Sequence, residues 1–150
     1  MGRFSVPKED AGYKLSTESA EAAVRELITY YNVDVDAIPD GDIKNAVEMA
    51  LAKMVNYYRL GLLENIRNPQ NVMTVKQHLQ DPPGEVREIV YTKMGGKAKR
   101  TADGIDLGET FRRTCAVMAF LSGQAADFLE NLKGSDCSAM ETLYLVFQMG

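Results

Sequence analysis

Apolar positions recur at three- and four-residue steps through "LSTESAEAAVRELITYY" (15–31), where Ala20, Ala23, Val24, Leu27, Ile28 and Tyr31 make one stripe. That period predicts a helix with one face against a core. Ser16 or Thr17 can accept from the free amides of its first turn, and Glu18 and Glu21 suit the positive end of its dipole. Pro39 and Gly41 break the pattern, because neither sits inside a helix without cost. The stripe resumes with Ile43, Val47, Ala50, Leu51, Met54, Val55, Tyr58, Leu62 and Ile66. These predict a second helix of about 25 residues, roughly 37 Å long. Asp40 or Asp42 can cap its start, Gly61 softens its end, and "NPQN" (68–71) stops it.

The period then shortens to two. In "VMTVKQHL" (72–79), Met73, Val75 and Leu79 alternate with Thr74, Lys76 and His78, a strand with one wet face. "DPPG" (81–84) reads as a turn. "EVREIVYTKM" (85–94) reads as a second strand with apolar groups on both faces, Val86 and Val90 against Ile89 and Tyr91, so cover on both sides is expected. Gly95-Gly96 suits a two-residue hairpin turn, leading into "KAKRTAD" as a short polar third strand or the start of a helix.

Helical spacing returns after "GIDLG". Phe111, Cys115, Met118 and Leu121 form one row; Phe128, Leu129 and Leu132 a second; Met140, Leu143, Tyr144 and Phe147 a third, with Ser135 or Asp136 as its cap. Gly123 and Gly134 stand where the first two pieces should stop. Helices and strands are segregated rather than alternating, which argues an α+β fold. The expected architecture is mostly helical: an arm at 1–15, then a single domain over 16–150. That domain comprises a helical pair at 16–67, a small antiparallel β-meander at 72–102, and three short helices at 108–148.

Length and composition fit this picture. A chain of 150 residues can bury roughly 70% of its unfolded surface in one core. No stretch has the apolar length of a signal peptide or a membrane span, so the expectation is a soluble, cytoplasmic protein with no membrane partner. The formal net charge of −4 argues against a dedicated nucleic-acid binder. Residues 71–113 nevertheless carry 8 basic against 6 acidic groups. A small nucleic-acid-associated module built on a basic hairpin at 93–113 is therefore the alternative reading, with Lys93, Lys97, Lys99, Arg100, Arg112 and Arg113 as its contacts.

Candidate chemistry is sparse. "MGGKAKR" resembles a phosphate loop only loosely, since such a loop spaces its glycines across a strand-to-helix turn and follows its lysine with Ser or Thr; here Ala98 follows Lys97. His78 is the single histidine, and metal binding or nucleophilic catalysis wants company for it. Cys115 and Cys137 read as small apolar fillers of a reduced protein. Asp34, Asp36, Asp40 and Asp42 flank Pro39 and Gly41, as capping and turn residues do. The expectation is a non-enzymatic protein with no cofactor and no metal.

One resemblance covers residues 86–147: "REIVYTKMGGKAK", then "ETFRRTCAVMAFLSG", then "QAADFLENLKGSDCSAMETLYLVF". This order resembles the small tail assembly chaperones of long-tailed bacteriophages, at Tyr91, Gly96, Leu121, Ser122, Gly123, Leu129, Leu132, Ser135, Asp136 and Leu143. The helical pair at 16–67 is an addition to that pattern, and Lys97 stands where an acidic residue is usual. The resemblance implies a protein that coats helical segments of a tape-measure-like partner during virion assembly, in the host cytoplasm, with self-association a further expectation. Its partner-binding candidates are Met118, Leu121, Phe128, Leu132, Met140 and Tyr144. Eight methionines, Met49, Met54, Met118, Met140 and Met149 among them, suit surfaces that accept varied apolar partners.

Overall fold

A computed structural model describes residues 13–149, so most of the expected arm (1–15) lies outside the described residues. Helix α1 spans Thr17–Tyr30, and the Ser16 hydroxyl caps it by accepting from the Ser19 amide at 3.1 Å. It closes at Asn32, whose φ is +55°, while the Asn32 and Val33 amides donate back to Thr29 and Ile28 carbonyls. These paired bonds are a Schellman stop. Helix α2 spans Asp42–Arg59, not the expected run to residue 66, and no side chain caps its start at Gly41. The reason is Gly61. Its φ of +78° lets the Gly61 and Leu62 amides donate to Tyr58 and Tyr57 carbonyls at 3.1 and 2.9 Å, the same stop as in α1. The chain then leaves the helix as strand β1, Leu63–Arg67.

Strands β2 (Met73–His78) and β3 (Glu88–Tyr91) complete an antiparallel sheet in the order β1-β2-β3. The meander therefore begins one strand earlier than expected, and "NPQN" is its first hairpin loop. Asn68 builds that loop, its side-chain oxygen accepting from the Gln70 and Val72 amides at 2.9 Å each. Register sets Glu64 beside Lys76 and Lys76 beside Val90. Leu63, Met73, Val75, Gln77, Ile89 and Tyr91 consequently point into the core, where all are buried. Val90 on the opposite face is 41% exposed, so β3 is covered on one side only, contrary to its two-sided apolar pattern.

Gly95-Gly96 is not a hairpin turn. Gly95 is extended with φ −128°, and Gly96–Arg100 forms a short helix, α3. The Thr92 amide and hydroxyl both donate to the Leu121 carbonyl at 3.1 Å, which steers the chain off the sheet. Ala98 and Ala102, one turn apart, are then buried. Helix α4 (Thr110–Ser122) ends at Gly123 with φ +72°, as its sequence predicts. Helices α5 (Ala126–Glu130) and α6 (Gly134–Phe147) follow, so four helices rather than three succeed the sheet. Gly134, with φ +54°, opens α6 instead of closing α5.

Nor does Asp136 cap α6. It is buried, and its carboxylate accepts from the Gln80 and Asp81 amides at 2.9 and 2.8 Å, tying α6 to the chain beyond β2. Gln77 reinforces that join, donating to the Asp136 carbonyl and accepting from the Tyr91 hydroxyl, each at 2.7 Å. An aromatic seam continues inward: the Tyr31 and Phe147 rings stack at 4.6 Å, and Tyr91 meets Phe147 edge-on at 6.3 Å. The fold is mostly helical α+β, with its helices on one face of a three-stranded sheet.

Candidate protein-docking groove

Helices α2 and α6 lie side by side and antiparallel. The Tyr57 and Ser138 hydroxyls meet at 2.6 Å where α2 ends and α6 begins. Away from that contact, both helices line one solvent-open cleft of about 260 Å³, with Ala46, Met49, Ala50 and Lys53 on one wall and Glu141 and Leu145 on the other. Met49 is 65% exposed, and Ile43, two turns earlier, is 74% exposed. Three- and four-residue steps put Ile43, Ala46, Met49 and Lys53 on one stripe of α2, beside the buried stripe of Val47, Ala50, Met54 and Tyr58. An apolar trough between two helices, with one cation and one anion at its rim, has the form that receives an amphipathic helix.

The sequence-derived partner residues are not on this surface. Met118, Leu121, Leu132 and Met140 are buried in the core, while Phe128 and Tyr144 are half-buried. Helical spacing marked these stripes, and in this fold the stripes of α4, α5 and α6 face one another. Among the methionines singled out above, Met54, Met118 and Met140 are core filler and Met149 is half-buried. Met49 alone of that group stands in solvent.

The six basic residues are divided rather than gathered. Lys93 donates to the Tyr30 carbonyl at 3.0 Å and lies 4.8 Å from the Tyr30 ring centre, a cation at the negative end of α1. Arg113 donates to the Ala102 and Ile105 carbonyls at 2.7 and 2.6 Å, fastening the segment before α4. Arg112 pairs with Glu109 at 3.4 Å. Lys97, Lys99 and Arg100 remain exposed along α3. Lys99 shares a cleft of about 250 Å³ with Arg113, Met94, Tyr144 and Gln148.

Two larger clefts are less suited to a ligand. One of about 380 Å³ lies among Lys14, Tyr58, Leu63, Glu64 and His78. The ring nitrogens of His78 face Glu64 at 2.9 Å and Glu88 at 3.2 Å. Because the two carboxylates lie on opposite nitrogens, they do not converge on a single ion. The other, about 450 Å³, lies between Pro83-Gly84 and Phe128, Asn131 and Lys133 of the α5 region, and is shallow and mixed in polarity. Among the described residues, no group of three or more His, Cys, Asp or Glu side chains is placed to hold a metal ion.

Both thiols are held in the protonated form, which is the weaker nucleophile. Burial pushes Cys115 up to about 12, with Glu130 adding to the shift, and burial and Glu141 push the half-buried Cys137 up to about 11. Burial likewise raises the Tyr31, Tyr58 and Tyr91 phenols, so all three stay protonated, and Tyr58 and Tyr91 donate to the Asn65 and Gln77 side-chain oxygens. Among the described residues no helix is long and apolar enough to cross a membrane. No family model matches this chain, and neither a curated protein nor a solved structure does.

Proposed function

We propose that the protein is a non-enzymatic assembly factor of the phage tail-chaperone kind, holding helical segments of a tape-measure-like partner in the α2–α6 groove while a virion is built in the host cytoplasm. The observation that carries this reading is the solvent-open apolar trough around Met49. The resemblance at Tyr91, Leu121-Ser122-Gly123, Leu129 and Leu143 supports its more specific form. A long amphipathic chain needs reversible cover for its apolar stripe, and a flexible thioether in a shallow trough adapts to many apolar side chains. The groove lies on α2 and α6, so the second of the additional N-terminal helices takes part in binding.

The test is titration of the protein into a labelled amphipathic helical peptide of about three heptads, at low and high salt. Apolar docking keeps its affinity when salt is raised, and Met49→Glu removes it. A second reading rests on the exposed α3 lysines and Arg100, which would bind nucleic acid with an affinity that collapses as salt rises. Binding of single-stranded oligonucleotide that is lost on Lys97→Glu/Lys99→Glu/Arg100→Glu, with no peptide binding, would replace the first reading with the second.

A further inference from the structure

We propose that the protein pairs with a second copy of itself through this groove, α2 of each copy lying over α6 of the other in a twofold four-helix arrangement. The inference deepens the docking reading and rests on the same surface. Its basis is the order of groups along the two walls. Counting from the Tyr57–Ser138 contact, the first turn outward brings Lys53 on α2 and Glu141 on α6 to one level, and the next brings Met49 and Leu145. A cation therefore faces an anion across the trough, and an apolar group faces an apolar group.

A twofold axis running along the trough exchanges its walls. Lys53 then sits over Glu141 of the second copy and Glu141 over its Lys53, while Met49 sits over Leu145 in both directions. Interfaces between identical subunits require this self-complementarity, and a groove with two like charges at that level would forbid it. Lys53, Glu141 and Met49 are exposed, and Ala46 and Ala50 on the α2 wall are small, so the helices can approach closely. Helix α2 is 18 residues long, about 27 Å. Two such helix pairs face to face bury roughly 1,000 Å² in total, the small end of specific interfaces. An interface of that size belongs with the weak, reversible associations. A helical partner would occupy the same trough, so partner binding and self-association exclude one another.

Sedimentation velocity on the full chain, from low to high micromolar concentration, tests this without any partner. The expected result is reversible conversion between the 16.6 kDa chain and a species of twice that mass. Lys53→Glu and Glu141→Lys should each weaken the dimer about tenfold or more by opposing like charges, and the double exchange K53E/E141K should restore it. Circular dichroism checks that these surface variants stay folded. A monomer across the whole range, a dimer indifferent to both single changes, or a double exchange that fails to restore pairing would each overturn the proposal. Peptide binding is measured separately, so a monomeric chain that still binds the peptide would sink this inference and leave the docking reading standing.

Discussion

Replacing Asp136 with alanine removes the join between α6 and the sheet, and the structure sets the scale of the loss. The carboxylate is 1% exposed and accepts from two backbone amides, Gln80 to both oxygens at 2.9 and 3.1 Å and Asp81 at 2.8 Å. A hydrogen bond to a charged group contributes about 1.5–3 kcal/mol, and a carboxylate in the first turn of a helix adds roughly 0.3–1 kcal/mol. Gln80 and Asp81 are themselves exposed, so water takes over part of what the amides lose. The net expectation for Asp136→Ala is a loss of about 2–4 kcal/mol, or roughly 4–16 °C in melting temperature for a domain of this size. Asp136→Asn keeps one accepting oxygen and should fall between the two. Urea unfolding followed by circular dichroism measures both, with the slope unchanged if only the native join is affected. A loss below about 0.5 kcal/mol for the alanine variant, the size of an ordinary surface change, would refute the structural role assigned to this carboxylate.

Gly61→Ala should destabilise by about 1–2 kcal/mol, because φ is +78° and the new Cβ would come within 2.6 Å of the Lys14 side chain; thermal melting reads it. Tyr91→Phe leaves the buried Gln77 oxygen without its donor, for an expected loss of about 1–3 kcal/mol in the same assay. Thiol titration at pH 8 should find Cys115 and Cys137 slow in the folded protein and both fast after denaturation. Their raised values, about 12 and about 11, keep each thiol protonated at that pH. Rapid labelling of native Cys115 would contradict its burial.

What the sequence discloses depends on whether local periodicity settles the structure. The α1 stripe with its Ser16 cap, the alternation in β2 and the Gly123 stop all follow from a few neighbouring residues. Strand β1 does not. Leu62 and Ile66 sit four residues apart and extend the α2 stripe, and only the left-handed turn at Gly61 and pairing with β2 redirect them. Helix α3 is five residues long, too short for a period to show, and its Gly-Gly start fits a turn as well as a helix. Val90 and Ile89 look alike in sequence, yet the helices cover one side of the sheet only. The groove was hidden for a related reason: Ile43 and Met49 are apolar and helically spaced, as core residues are. Only the packed position of α6 shows which apolar stripe of α2 is left in solvent. Four of the six tail candidates, Met118, Leu121, Leu132 and Met140, are buried because helices that share a core bury their own stripes, while Phe128 and Tyr144 stay half-buried.

Methionine-methyl NMR tests the central claim most directly, because the methionines are distributed between core and groove. Titration with the amphipathic helical peptide should shift the Met49 methyl strongly and leave the buried Met54, Met118 and Met140 methyls in place. Movement of Met94 instead, beside Lys99 and Arg113, with Met49 unperturbed, would contradict the groove and place binding at the α3 cleft.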